Sequence, residues 1–161
     1  MSGGRWRIAA VFVGGTLAIG VAAYALFHSA VVPVDPPEAS TEQTATCRDL
    51  QTLLPDPLDG RPSRQTGPLS PLTAAWGDPP VVLRCGVPRP AALTLTTQLF
   101  QANGVSWFAE QVPGGWRFTA TGRKAYVEVT VPGTQDQASA PLIDLAPAVS
   151  NALPVRADGR P

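Results

Sequence analysis

Asp78, Glu110 and Glu128 are the side chains through which this chain offers acid–base chemistry. Two carboxylates lining one side of a sheet are what glycoside hydrolysis requires. Each of the three also has a plainer reading. Asp78 stands before Pro79 and suits a turn, and Glu110 and Glu128 suit the solvated side of strands. Nucleophilic chemistry finds less support. The single histidine is His28, so residues 29–161 contain none, which excludes Ser/His/Asp and Cys/His systems there and removes the commonest zinc ligand. Lys124, the one lysine, falls in an expected hairpin turn without a partner serine. No phosphate loop, GxGxxG motif or zinc-spaced cysteine pairs occur, so no catalytic residue, metal or cofactor is assigned.

A second chemistry is contact. Trp76, Trp107, Trp116 and Tyr126, with Arg84, Arg117 and Arg123, combine large rings with fixed donors. On a sheet surface such residues suit a protein partner or a glycan. Trp76, Arg84, Arg117, Arg123 and Tyr126 are therefore the candidate contacts for a partner or ligand. The competing reading places Trp107 and Trp116 in the core, where aromatic burial contributes heavily.

The stretch that must position these groups is Trp76-Gly77-Asp78-Pro79-Pro80-Val81-Val82-Leu83-Arg84-Cys85-Gly86. Proline fixes its own φ and pushes its predecessor out of the α region, so the double proline favours an extended backbone. Val81, Leu83, Cys85 and Val87 then alternate with Val82, Arg84 and Gly86, predicting a strand with one apolar face.

Upstream, Thr46 is a candidate cap for a short helix with Asp49 in its first turn, ended by Pro55. Cys47, Leu50 and Leu54 share a face, with Leu53 beside them, and that face needs the Val81/Leu83/Cys85/Val87 face to bury it. A Cys47–Cys85 disulfide would clip helix to strand and add about 4 kcal/mol on the chain-entropy model.

Residues 55–71 read as loop, with Asp56-Pro57, Asp59-Gly60 and Gly67-Pro68 as turn signals. Leu93, Leu95 and Leu99 mark an extended segment before Asn103-Gly104. Val105–Val112, Trp116–Thr121 and Lys124–Val131 read as an antiparallel meander joined by Pro113-Gly114-Gly115 and Gly122-Arg123. In the last strand Val127, Val129 and Val131 face the core. Asp144 is a candidate cap for a final helix, with Pro147 in its first turn and Leu145, Val149 and Leu153 as its buried stripe. The expected class is α+β: a small, mainly antiparallel four-stranded sheet with two helices on one face and one disulfide, preceded by a transmembrane helix.

That transmembrane helix is the uncharged run from Ile8 to Val32, long enough to cross about 30 Å of hydrocarbon. Arg5 and Arg7 flank it on one side, Asp35 and Glu38 on the other, so residues 1–7 are expected in the cytoplasm and the rest outside the cell membrane. A cleaved signal peptide, leaving a secreted domain, is the alternative, although its apolar region is usually about 7–15 residues. Residues 33–45 read as a disordered linker, 46–154 as the extracytoplasmic domain and 155–161 as a flexible tail. Setting Arg5 and Arg7 aside from the twelve basic residues leaves ten against twelve acidic, a net of −2. That balance excludes a nucleic-acid binder. The membrane, through residues 8–32, is the expected partner, with another envelope protein or a cell-wall component beyond it.

The basic-flanked span, Cys47 followed by Leu53-Leu54-Pro55, and Ala75-Trp76-Gly77-Asp78-Pro79-Pro80-Val81-Val82-Leu83-Arg84-Cys85-Gly86 make a recognisable pattern. Asn103-Gly104-Val105-Ser106-Trp107, Gly122-Arg123 and Val127-Glu128-Val129-Thr130-Val131-Pro132 extend it. Over residues 46–154 it resembles an actinobacterial membrane-anchored family, domain of unknown function 3515. The resemblance implies an envelope location and brings no activity and no catalytic residues. The residues themselves point to a non-catalytic accessory protein of the envelope, with a small-molecule or glycan binding module as the alternative.

Overall fold

The computed structural model describes residues 31–157. The expected cytoplasmic segment 1–7, the expected span as far as residue 30, and the tail from 158 onward lie outside the described residues. Among the described residues no helix is long and apolar enough to cross a membrane.

The chain folds as α+β around one antiparallel sheet. Its strands are β2 (Ser63–Arg64), β4 (Thr73–Trp76), β5 (Val81–Val87), β6 (Phe100–Ala102), β7 (Val105–Val112), β8 (Gly115–Ala120) and β9 (Tyr126–Pro132). They lie in the order β2-β4-β5-β9-β8-β7-β6, seven strands where four were expected. The extra three are short pieces at or near the edges, too brief for sequence periodicity to reveal. The reversal between β6 and β7 uses Asn103 and Gly104, both with positive φ, as a two-residue hairpin of this twist requires.

The expected alternation places Val127, Val129 and Val131 at full burial on one face, level with Leu83, Cys85, Phe118 and Ala120 from neighbouring strands. Helices α1 (Thr41–Leu53) and α2 (Ser139–Ala152) cover that face. Helix α1 contributes Cys47 and Leu50, while Leu53 stays 46% exposed. Helix α2 contributes Leu142, Leu145, Ala146 and Val149, and Leu153 follows at its end. The Cys47–Cys85 disulfide joins α1 to β5 with 5.7 Å between Cα atoms.

Five expectations are corrected. First, Val32 belongs to a strand rather than to the end of the expected span, and residues 33–45 are not a linker. Val32–Pro33 forms strand β1, paired in parallel with β3 (Thr66–Gly67), and Val32 and Val34 are buried against Ala75 and Val82. This strap crosses the face of the sheet opposite the helices, since Ala75 and Val82 alternate with the core-facing Ala74 and Leu83.

Second, α1 starts six residues before Cys47, capped by Ser40 rather than Thr46. Gln43 N–H donates to Ser40 Oγ at 3.2 Å and Ser40 N–H donates to Gln43 Oε1 at 3.0 Å, a reciprocal capping box. Third, Val87 leaves the core face. Gly86, at φ +88°, inserts one extra residue between the rungs Cys85–Val127 and Val87–Tyr126, and a one-residue slip turns the next side chain to the other face. Val87 packs there with Leu93, Phe108 and Tyr126.

Fourth, Asp144 is inside α2, where its Oδ2 accepts from Asp59 N–H at 2.9 Å, and Pro147 is interior as well. Fifth, the chain after Leu153 is tied down to Arg156: Lys124 N–H donates to the Pro154 carbonyl, and Arg156 N–H to that of Gly122.

Candidate functional site

Cross-strand pairing assembles a charged groove on the face that carries the strap. Arg84 of β5 stands opposite Glu128 of β9, Glu128 stands opposite Thr119 of β8, and Arg117 of β8 stands opposite Glu110 of β7. Directly opposed residues share a face, so Arg84, Glu128, Thr119, Arg117 and Glu110 point the same way. The end of β5 adds Val87 and the loop after it Pro88, Arg89, Pro90 and Ala91, closing a groove of about 410 Å³.

Glu128 is the hub. Its Oε1 lies 3.3 Å from Arg84 Nη1 and its Oε2 lies 3.5 Å from Arg117 Nε. The carboxylate is 12% exposed, whereas Arg117 is 40% exposed. Arg84 is held twice, because its Nε also donates to the Asp35 carbonyl of the strap at 3.1 Å. Arg117 Nε is buried within ion-pair range of Glu128 yet lacks hydrogen-bond geometry. Thr119 Oγ1 is buried in the floor of the groove with no partner.

Of the candidate contacts, Arg84 and Arg117 come together here and the other three do not. Trp76 is 2% exposed and its Nε1 donates to the Pro55 carbonyl at 3.0 Å, so its ring belongs to the core. Arg123 is 6% exposed; Nη1 donates to the Leu153 carbonyl at 2.8 Å and Nη2 to Ser150 Oγ at 3.2 Å, and burial pushes its pKa below the usual guanidinium range. It closes the end of α2. Tyr126 is buried beside Val87, and its hydroxyl accepts from Arg156 Nη1. Trp107 is fully buried and Trp116 half-buried against the core.

Among the carboxylates, Glu110 and Glu128 line the same groove while Asp78 sits exposed at the β4–β5 turn. Both cysteines are in the disulfide, and among the described residues no three acidic, histidine or cysteine side chains are placed to hold a metal. Arg89 and Thr119 were missed from sequence. Arg89 lies between Pro88 and Pro90, which read only as breakers, and Thr119 looks like any outward strand residue until the sheet is assembled.

A second hollow, of about 290 Å³, lies beside Trp76, and several of its polar groups pair with one another. There the Asp56 carboxylate accepts from Ser63, and the hydroxyls of Thr66 and Thr73 pair at 3.0 Å.

No curated protein and no solved structure matches the chain. A family model described as a protein of unknown function, DUF3515, matches residues 7–157, nearly the whole sequence. The chain therefore belongs to the DUF3515 family.

Proposed function

We propose that this protein is a non-catalytic, membrane-tethered domain that works by contact outside the cytoplasmic membrane, as an accessory or assembly factor of the cell envelope. The observation that carries the reading is the Arg84–Glu128–Arg117 array, set in a groove on the sheet face that the helices leave clear. Ion-paired arginines on strands present donors in fixed directions, which suits recognition. The apolar run from Ile8, flanked by Arg5 and Arg7, supports the tether, and a disulfide suits an oxidising compartment.

The same array argues against catalysis by the groove carboxylates. Both oxygens of Glu128 face guanidinium groups. Glu110 lies two strands and two rungs away, roughly 12 Å between backbone positions. Glycoside hydrolysis needs two carboxyl groups free to act across open space, and Glu128 is engaged on both oxygens. A second reading, a binding module for a small molecule or cell-wall glycan, is favoured by the groove volume of about 410 Å³.

Cross-linking the intact protein in its native membranes tests the proposal. Wild type is compared with Arg84→Ala, Arg117→Ala and the control Arg48→Ala, whose side chain is exposed on α1. A defined envelope partner retained by wild type and the control, and lost in both groove variants, supports action by contact. Turnover of a wall glycan by the purified chain, abolished by Glu128→Gln or Glu110→Gln, overturns it.

A further inference from the structure

We infer that the groove binds a small carboxylate carrying a hydrogen-bond-donating group beside it, as the free carboxyl end of a short peptide or a sugar acid does. The inference deepens the proposed contact function and rests on it.

Three arginines, Arg84, Arg89 and Arg117, face two glutamates here, which leaves one positive charge for an anion. Their availability differs. Arg84 is engaged by the strap carbonyl and by Glu128. Arg117 is paired with Glu128 through Nε, and among the described residues its terminal Nη1/Nη2 fork makes no hydrogen bond. A planar fork of two N–H donors matches the two oxygens of a carboxylate.

Thr119 supplies an independent sign. It is 1% exposed and its hydroxyl has no partner, a condition that buried polar groups rarely keep without an occupant. Arg117 is two residues before it on the same strand and the same face. When the flexible Arg117 side chain turns its fork toward a ligand, the hydroxyl beneath gains an oxygen to donate to.

Glu110, which makes no ion pair among the described residues, provides the acceptor for the donor group of the ligand. Val87, Pro88, Pro90 and Ala91 form an apolar wall for its carbon skeleton. The volume suits a ligand of one or two residues rather than a long chain.

The test is calorimetric titration of the full-length chain in detergent micelles with alanyl-alanine, alanyl-alanine amide, glucuronate and inorganic phosphate. Saturable binding of alanyl-alanine alone assigns a peptide carboxylate, of glucuronate alone a sugar acid, and either supports the site. The amide is expected to bind at least about tenfold more weakly. Arg117→Lys keeps the charge and loses the fork, and about a tenfold loss of affinity is expected. Thr119→Val is expected to weaken binding about fivefold while its thermal midpoint holds or rises, because the orphaned hydroxyl is gone. A purely structural Thr119 would lower the midpoint and leave the affinity unchanged. Silence with both carboxylates, amide or phosphate binding as tightly as the acid, or unchanged affinity in Thr119→Val overturns the site. Silence here together with a groove-dependent partner in native membranes removes the carboxylate site and leaves action by contact standing.

Discussion

Asn103 Nδ2 donates to the Ile143 carbonyl at 3.3 Å. In helix α2 that carbonyl belongs to the N–H of residue 147, and residue 147 is proline, which has none. A hairpin turn on the far edge of the sheet thus fills the gap that a helix proline leaves. Asn103→Gly keeps the positive φ of the turn and deletes the amide, so a loss of about 1 kcal/mol is expected. In a Pro147→Ala background the helix supplies its own N–H, and the cost of Asn103→Gly should shrink. Urea denaturation of the four proteins measures the coupling; strict additivity would show that the two residues do not compensate each other.

Arg123 and Arg117 look interchangeable in sequence, yet their surroundings predict opposite behaviour. Arg123→Met retains the aliphatic stem and strips the donors from the Leu153 carbonyl and Ser150 at the end of α2. A loss of about 2–3 kcal/mol is expected, since charged donors to buried acceptors are the strong hydrogen bonds. Arg117→Met breaks an ion pair of a 40%-exposed side chain, and less than about 1 kcal/mol is expected. Equal losses would mean that Arg123 closes nothing.

Asp56 ties the loop after α1 to the edge strand β2. Ser63 Oγ–H donates to Oδ2 at 2.7 Å and Ser63 N–H to Oδ1 at 3.0 Å. These two bonds, the hydroxyl first, hold its carboxyl below the usual aspartate range. A depressed folded-state pKa gives a contribution that is complete above the unfolded pKa, near 4, and is lost as pH falls through the folded value. Thermal midpoints of wild type should therefore exceed those of Asp56→Asn at neutral pH and converge with them in acid. A gap that persists unchanged however far the pH is lowered would show that the carboxylate charge is irrelevant.

What could be read from the sequence was strand alternation over a long enough run, turn chemistry and the pairing of the two cysteines. The valines of β9 and the Asn103-Gly104 reversal follow from local pattern, and the Cys47–Cys85 clip between α1 and β5 from the apolar faces that carry the two cysteines. The strap does not. Val-Pro-Val-Asp-Pro-Pro has the composition of a linker, and it is ordered because it pairs with Thr66–Gly67 and because Ala75 and Val82 give its two valines somewhere to bury. Ser40-Thr41-Glu42-Gln43 carries a capping-box spacing, which the polar surroundings disguised.

The site was half legible for a related reason. Arg84 and Arg117 stand out by residue type, but their meeting on Glu128 depends on the order β5-β9-β8, which joins strands distant in sequence. Trp76, Arg123 and Tyr126 carry the same chemical promise and fill structural roles, because burial is decided by the assembled sheet and the packed end of α2.

Gly86 is where strap, sheet and disulfide meet, and it yields the most discriminating substitution. A Cβ on Gly86 would lie 2.7 Å from the Ala39 Cβ and 3.7 Å from Cys47 Sγ, and its φ of +88° disfavours any L side chain. Gly86→Ala therefore combines backbone strain of about 1–2 kcal/mol with a steric clash of about 1–3 kcal/mol. Ala39→Gly removes the atom that is struck, so in that background only the backbone share of the cost should remain. If both backgrounds lose the same stability in urea, the strap does not press on the bulge and the conformation of Gly86 alone sets the cost. If the cost falls by half or more, close passage of the strap is what requires glycine there. The bulge that turns Val87 toward the groove then exists together with the crossing that carries the chain from the charged face to the helices.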